Sequence, residues 1–256
     1  MRSYINKSTF IMLAFSFIFI SCDNSDDPHY ADANYDSADM VRGGLLYDKW
    51  WTINGSSAPT TDFDPLWSSQ STNSRAGADT WRCKECHGWD YVGKDGRYGS
   101  GSHFTGFNGV MNGAATTHSG IFDAIKDAGG DHDLSSVLTN TDVLDLTKFI
   151  AEGLIDMSYY LDASNQGTGD AVNGLSLYTT NCEFCHGADG KSLDFVDNVD
   201  GIQGVGFLSN DNPQEVFHKI RWGHPGSDPQ MPSMIETGLS DDDTGDILTY
   251  IQSLPE

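Results

Sequence analysis

Two copies of one short pattern stand out: Cys83-Lys84-Glu85-Cys86-His87 and Cys182-Glu183-Phe184-Cys185-His186, each followed by glycine. Two residues between the cysteines let one helical turn present both sulfurs along the same edge, and the next residue turns its imidazole beneath them. That spacing is the attachment signature of c-type haem, in which two thiols add to the porphyrin vinyl groups and the histidine ligates iron. A zinc ribbon or a thioredoxin-like pair also uses C-x-x-C, but neither requires a histidine at the same offset in both copies. Four of the five cysteines are accounted for in this way. The expected cofactors are two covalently attached haem c groups, bound through Cys83, Cys86, Cys182 and Cys185, with His87 and His186 as iron ligands.

The fifth cysteine, Cys22, ends a different signal. Residues 1–22 run from a short basic stretch with Arg2 and Lys7 through an apolar run from Phe10 to Ile20, too short and wrongly flanked for a transmembrane helix. They read as a secretory signal. The segment Phe19-Ile20-Ser21-Cys22 resembles a bacterial lipobox, with Phe19 where that family usually has leucine. The resemblance implies that Cys22 is lipidated and becomes the first residue of the mature chain. The competing expectation is an ordinary cleaved signal with a free thiol nearby. Acidic residues follow at Asp23, Asp26 and Asp27, and residues 23–38 are expected to be an acidic tether. The segment resembles the tag by which some Gram-negative lineages send lipoproteins to the cell surface. The expected location is therefore extracytoplasmic, on the bacterial membrane's periplasmic face or the cell surface, with contact to lipid through the anchor only.

With 37 acidic and 14 basic residues the chain carries a formal charge of −23. Such a surface argues against nucleic acid and against electrostatic docking on anionic lipid. The complement is a redox protein partner with a basic docking surface. The excess is general, with 17 acids against 9 bases over 39–162 and 15 against 3 over 170–256.

Paired motifs prompt a search for a repeat around them. Asp39-Met-Val-Arg-Gly43-Gly-Leu-Leu46-Tyr47 matches Asp170-Ala-Val-Asn-Gly174-Leu-Ser-Leu177-Tyr178, and both read as amphipathic helices opened by a capping aspartate. Tyr178 precedes Cys182 by four residues and Tyr47 precedes Cys83 by 36, so the first copy holds an insertion of 32 residues, roughly 50–81. That insertion is rich in Ser, Thr, Pro and Trp, without helical periodicity, and is expected to be a loop wrapped on the first unit. Downstream, Ile121–Ile125 parallels Val216–Ile220, and a last helix from Asp142 parallels one from Asp243. Each unit therefore reads helix, haem motif, helix, loop, helix. This pattern resembles class I cytochrome c, a small all-α fold in which the first and last helices cross around a haem. The resemblance covers nearly everything after residue 38. It implies two tandem cytochrome c-like domains, 39–160 and 170–256, joined by a linker at 161–169.

In that family the sixth iron ligand is usually a methionine before the last helix, often followed by proline. Met231-Pro232 fits the pattern in the second domain, with Met234 and His224 as rivals. The first domain has no Met-Pro. Met231 lies 45 residues after His186, and the residue 45 after His87 is His132. His132 is therefore expected to complete a bis-histidine first haem, with Met157 the chief rival and Met111, His103 and His118 behind it. Asp131 and Asp133 are expected to bond its second ring nitrogen. A methionine ligand raises haem potential relative to histidine, so electron flow would have a direction between the two.

The function these features imply is outer-sphere electron transfer between an extracytoplasmic redox partner and a terminal acceptor. No catalytic side chain is expected, and the sequence shows no Ser-His-Asp array, P-loop or nucleotide fingerprint. Two alternatives stay open. One is a dihaem oxidoreductase similar to peroxidases or thiosulfate dehydrogenases, although no cysteine remains in the folded part for the axial ligand of the latter. The other is the cytochrome subunit of a larger complex, docked through an insertion carrying or flanked by Trp50, Trp51, Trp67 and Trp81, which serve equally well as haem-cavity packing.

Overall fold

The computed structural model describes residues 30–111, 117–195 and 201–256. Residues 1–22, with Cys22, and the first part of the acidic tether lie outside the described residues. The helices are α1 (Tyr30–Asn34), α2 (Met40–Asn54), α3 (Cys83–His87), α4 (His118–Lys126) and α5 (Asn140–Lys148), the last continued by a π turn, Phe149–Gly153. After them come α6 (Ala171–Asn181), α7 (Glu183–His186), α8 (Val205–Asp211), α9 (Pro213–Trp222) and α10 (Asp241–Ile251). No strand occurs among the described residues, only isolated bridges. The architecture is all helical.

Capping chemistry sets the helix starts. Asp39 and Asp170 accept backbone N–H bonds in the first turns of α2 and α6. Reciprocal capping boxes, Thr139 with Asp142 and Ser240 with Asp243, open α5 and α10. In each half the first helix crosses the last at a glycine. A Cβ on Gly43 would stand 2.1 Å from the Asp145 carbonyl oxygen, and one on Gly174 would stand 2.0 Å from that of Asp246. Neither crossing tolerates a side chain at that point. The Asp39 N–H donates to the Asp145 carboxylate at 2.7 Å and the Asp170 N–H to that of Asp246 at 2.6 Å, so the same tie is made twice.

The insertion begins later than its composition implies, because α2 runs on to Asn54 and carries Trp50 and Trp51. It does so across a kink at Lys49, whose φ of −154° and ψ of 77° are not helical. The rest is irregular apart from two short 3₁₀ turns, with Phe63 and Trp67 buried against the first half. The tether also needs correction. Residues 30–38 are not a free spacer: Ala31 and Tyr35 are buried, the Tyr35 hydroxyl donates to Glu152 at 2.9 Å, and its ring stacks on His118 at 3.5 Å. Apolar burial outweighs the acidic composition there. The 161–169 segment is likewise ordered, its Gly169 N–H donating to Thr249 of α10 and its Gly167 N–H to Gln252 just past that helix.

The two halves share a buried face. A Cβ on Gly44 would fall 2.5 Å from the ring of Trp222, so that glycine admits the indole of α9 onto α2. His218, fully buried, donates from Nε2 to the Gly44 carbonyl at 3.1 Å and accepts at Nδ1 from the Tyr91 hydroxyl at 2.8 Å. That pattern fixes a neutral imidazole. Tyr91 is itself buried at φ 65°, a left-handed conformation costing about 1–2 kcal/mol for a residue with a side chain. Arg221 crosses the same face to the Gly153 carbonyl at 2.7 Å.

Candidate haem sites

Each C-x-x-C-H segment forms one helical turn, and each is locked to the first helix of its half in the same way. The Tyr47 hydroxyl donates to the Gly88 carbonyl and the Tyr178 hydroxyl to the Gly187 carbonyl, both at 2.6 Å. The first pair is 41 residues apart and the second 9, so the insertion leaves the contact unchanged. Gly88 and Gly187 sit at φ 79° and 81°, where glycine is favoured, and their turns close through N–H bonds to the carbonyls of His87 and His186. No disulfide joins Cys83, Cys86, Cys182 or Cys185. Burial pushes the Cys83 and Cys86 thiols up to about 12 and Cys182 to about 11, which keeps them as neutral thiols.

In the first half two residues that the sequence offers as ligands, His87 and His132, line the same cleft. The His87 and His132 rings stand 6.1 Å apart between centroids. An imidazole centroid lies about 1.1 Å from its own nitrogen and metal–imidazole bonds are about 2.0 Å, so two histidines on opposite sides of one ion hold their centroids about 6.2 Å apart. The observed separation is close to that value, with the ring planes 70° apart. A cleft of about 570 Å³ opens there, lined by Cys83, His87 and His132 with Tyr47, Ile121 and Leu146. A second lobe of about 240 Å³ is walled by Phe63, Leu66 and Trp81 of the insertion. The tryptophan-rich segment thus lines the cavity.

The far side of each ring is anchored to backbone. His87 Nδ1 donates to the Asn108 carbonyl at 2.7 Å, and His132 bonds the backbone of Ala124. Burial lowers both imidazoles, His87 to about 4, so each is neutral with a nitrogen free to ligate. The expectation for Asp131 and Asp133 is overturned. Asp133 accepts from the Gly129 and Ser135 N–H groups, and it is Asp127 that receives the His132 backbone N–H, at 3.0 Å. Short-range turn bonds capture Asp133 before it can reach the ring, and Asp131 is exposed.

The rivals to His132 are engaged elsewhere. Met157 is buried in the hydrophobic core and is not among the residues lining the cleft. His103 pairs with Glu85 and Arg75, and His118 stacks on Tyr35.

In the second half His186 has a buried Nδ1 with no hydrogen-bond partner among the described residues. Its ring lies 6.0 Å from that of Phe195, and burial lowers its pKa. Cys182, Cys185 and His186 supply on one turn the two thiols and the neutral imidazole that a covalent haem needs. Met231 is half-buried on the loop between α9 and α10, whereas Met234 is buried in the core with its sulfur near Thr237. Residues 171–255, from the start of α6 to just past α10, match the family model for cytochrome c. The match supports a c-type cytochrome. With it come covalently bound haem c and a haem-based electron-transfer role for this region. No curated protein and no solved structure matches the chain. No helix among the described residues is long and apolar enough to cross a membrane.

Two features of the sites carried no advance signal in the sequence: the Asn108 anchor and the Asp48–His224 contact between the halves.

Proposed function

We propose that the chain is a dihaem electron carrier. The first haem is held by Cys83, Cys86, His87 and His132, and the second by Cys182, Cys185, His186 and Met231. The observation that carries this reading is the facing His87–His132 pair at 6.1 Å, in a half whose helix crossing and tyrosine tie duplicate those of the matched half. Haem supplies the one-electron chemistry. The chain's own part is to fix the rings by backbone anchors, exclude water with Trp81, Phe63 and Leu134, and keep both irons capped. Two haems per chain by pyridine haemochrome assay, falling to one in a Cys182→Ser/Cys185→Ser chain, is the expected result. A count of one in the wild type sinks the reading.

The two motifs differ in access. Lys84, Glu85 and Cys86 are buried under Asn73, Arg75, His103 and Trp89, whereas Phe184 is 100% exposed. Phe184 lies two residues from His186 on one helical turn, about 200° round, so its ring points away from the iron ligand. A redox partner approaches at the second motif, and the surplus of 15 acids over 3 bases in 170–256 selects a basic one. Electron transfer to a lysine-rich monohaem cytochrome c should slow with added salt and slow several-fold in Phe184→Ser. Equal rates in the variant would exclude this port.

Cys22 is proposed as the lipidated anchor on an extracytoplasmic membrane face. Full-length chain should fractionate with membranes, and Cys22→Ser chain should not.

A further inference from the structure

The loop that carries Met231 closes on itself. The His224 N–H donates to the Met231 carbonyl at 3.3 Å, the Met231 N–H to Ser227 Oγ at 2.9 Å, and the Ser227 hydroxyl to the His224 carbonyl at 3.2 Å. The loop also leans on the other half. His224 Nδ1 lies 3.6 Å from Asp48 Oδ2 on α2, and Gly226 faces Thr52 one turn further along the same helix.

Asp48 is fully buried and looks both ways. Its Oδ1 pairs with Arg82, the residue before Cys83, and Arg82 Nε also donates to the Asp48 carbonyl at 2.8 Å. At 3.6 Å the contact of its other oxygen with His224 is longer than a hydrogen bond. Asp48 Oδ2 and His224 Nδ1 are both buried without another partner, and each faces the other. A buried polar atom without a partner is costly, so an attraction between these two favours both. His224, on the far side of the gap from α2, belongs to the loop that bears Met231.

From this we propose that Asp48 is a positioning residue for the second haem. Through His224 it fixes the loop that presents Met231, so a carboxylate of the N-terminal half holds the distal ligand of the C-terminal half. The inference rests on the reading of Met231 as that ligand. Because the other oxygen of Asp48 is held by the neighbour of Cys83, the distal side of one haem and the attachment edge of the other share one buried carboxylate.

The test uses full-length, haem-loaded chain. It reads the weak far-red charge-transfer band of thioether-ligated ferric haem, and the two reduction potentials. His224→Ala leaves the Asp48–Arg82 pair intact, and His224→Asn places an amide N–H near the position of Nδ1. Loss of most of the band in the alanine variant, with a fall in one potential only and recovery of both in the asparagine variant, is expected. Wild-type band and potentials in His224→Ala overturn the positioning role, as does an equal loss in both variants. No such band in the wild type overturns Met231 as ligand, and this proposal with it.

Discussion

Replacing His132 with alanine should open one haem, and only one, to carbon monoxide. The ring of His132 stands 6.1 Å from that of His87, close to the spacing of two ligands on one ion, and the Asp127 carboxylate accepts its backbone N–H and steadies the loop that carries it. Among the described residues lining the cleft, His87 and the two attachment cysteines apart, no other histidine or methionine offers a strong sixth ligand, and Phe63, Leu134, Ile121 and Ile125 make much of its wall apolar. Removing the imidazole therefore leaves an open coordination position in an apolar pocket. The reduced wild-type protein should ignore the gas, and the variant should bind about one equivalent. His132→Met is the complementary change. It should raise one potential by an appreciable part of the roughly 0.8 V over which axial ligands tune haem iron, and leave the other in place. Gas binding by the wild type, or movement of both potentials together, would remove His132 from the ligand set.

Mild acid should loosen the contact between the two halves. Burial pushes the His218 pKa down to about 3 from the ordinary 6.5, because the enclosed ring cannot be solvated as a cation and Arg221 and Lys219 repel the charge, which outweighs the opposing pull of Asp48 and of the Gly44 carbonyl it donates to. The unfolded chain binds this proton at about pH 6.5 and the folded chain only near pH 3. Stability is thus fully present above about 6.5 and is lost as pH falls through that window. At about 1.4 kcal/mol per unit, roughly 2–3 kcal/mol is lost between about pH 7 and about pH 4.5. Asp48 titrates later. Burial opposes its ionisation, but His224 and Arg82 outweigh that and hold the carboxylate below the usual range, so it stays charged throughout the window. Guanidinium unfolding at several pH values should show the slope in the wild type and lose most of it in His218→Gln, which can donate and accept without titrating. The same slope in the variant would assign the acid sensitivity to another group.

The sequence makes the repeat legible because its signals are local. A capping aspartate, an apolar stripe and C-x-x-C-H are read within a turn or two of helix, and the structure places helices at each of them. The offset of 45 residues reached further, to His132, because it borrowed the register of the other copy. The structure brings His132 to the same cleft as His87 even though 32 extra residues precede the first motif, since the insertion lies outside the stretch being counted. Where reasoning by residue type took over, it failed. Asp131 and Asp133 looked like partners for His132 by proximity in sequence, yet Asp133 bonds the backbone N–H groups of Gly129 and Ser135, and Asp131 is exposed.

A finer comparison of the copies holds a signal for the shared face. Gly44 aligns with Leu175 and His218 with Asp123; the first of each pair lies between the halves, and the second is exposed. A repeat that shed a side chain at one position and buried a histidine at another was marking where its copies meet.

By itself, the sequence determined the two attachment motifs and the helices that frame them, and pointed to His132 as a neighbour of His87, all of which follow from short-range spacing or from the repeat. Only the tertiary structure decided that the insertion walls the first cleft, that the first motif is covered while the second is open, and that Asp48 meets His224. These outcomes depend on contacts such as His218 with Tyr91 and Gly44, 127 and 174 residues apart in the chain. Such pairs form through shape and burial between two packed surfaces, and no periodicity along the chain encodes them.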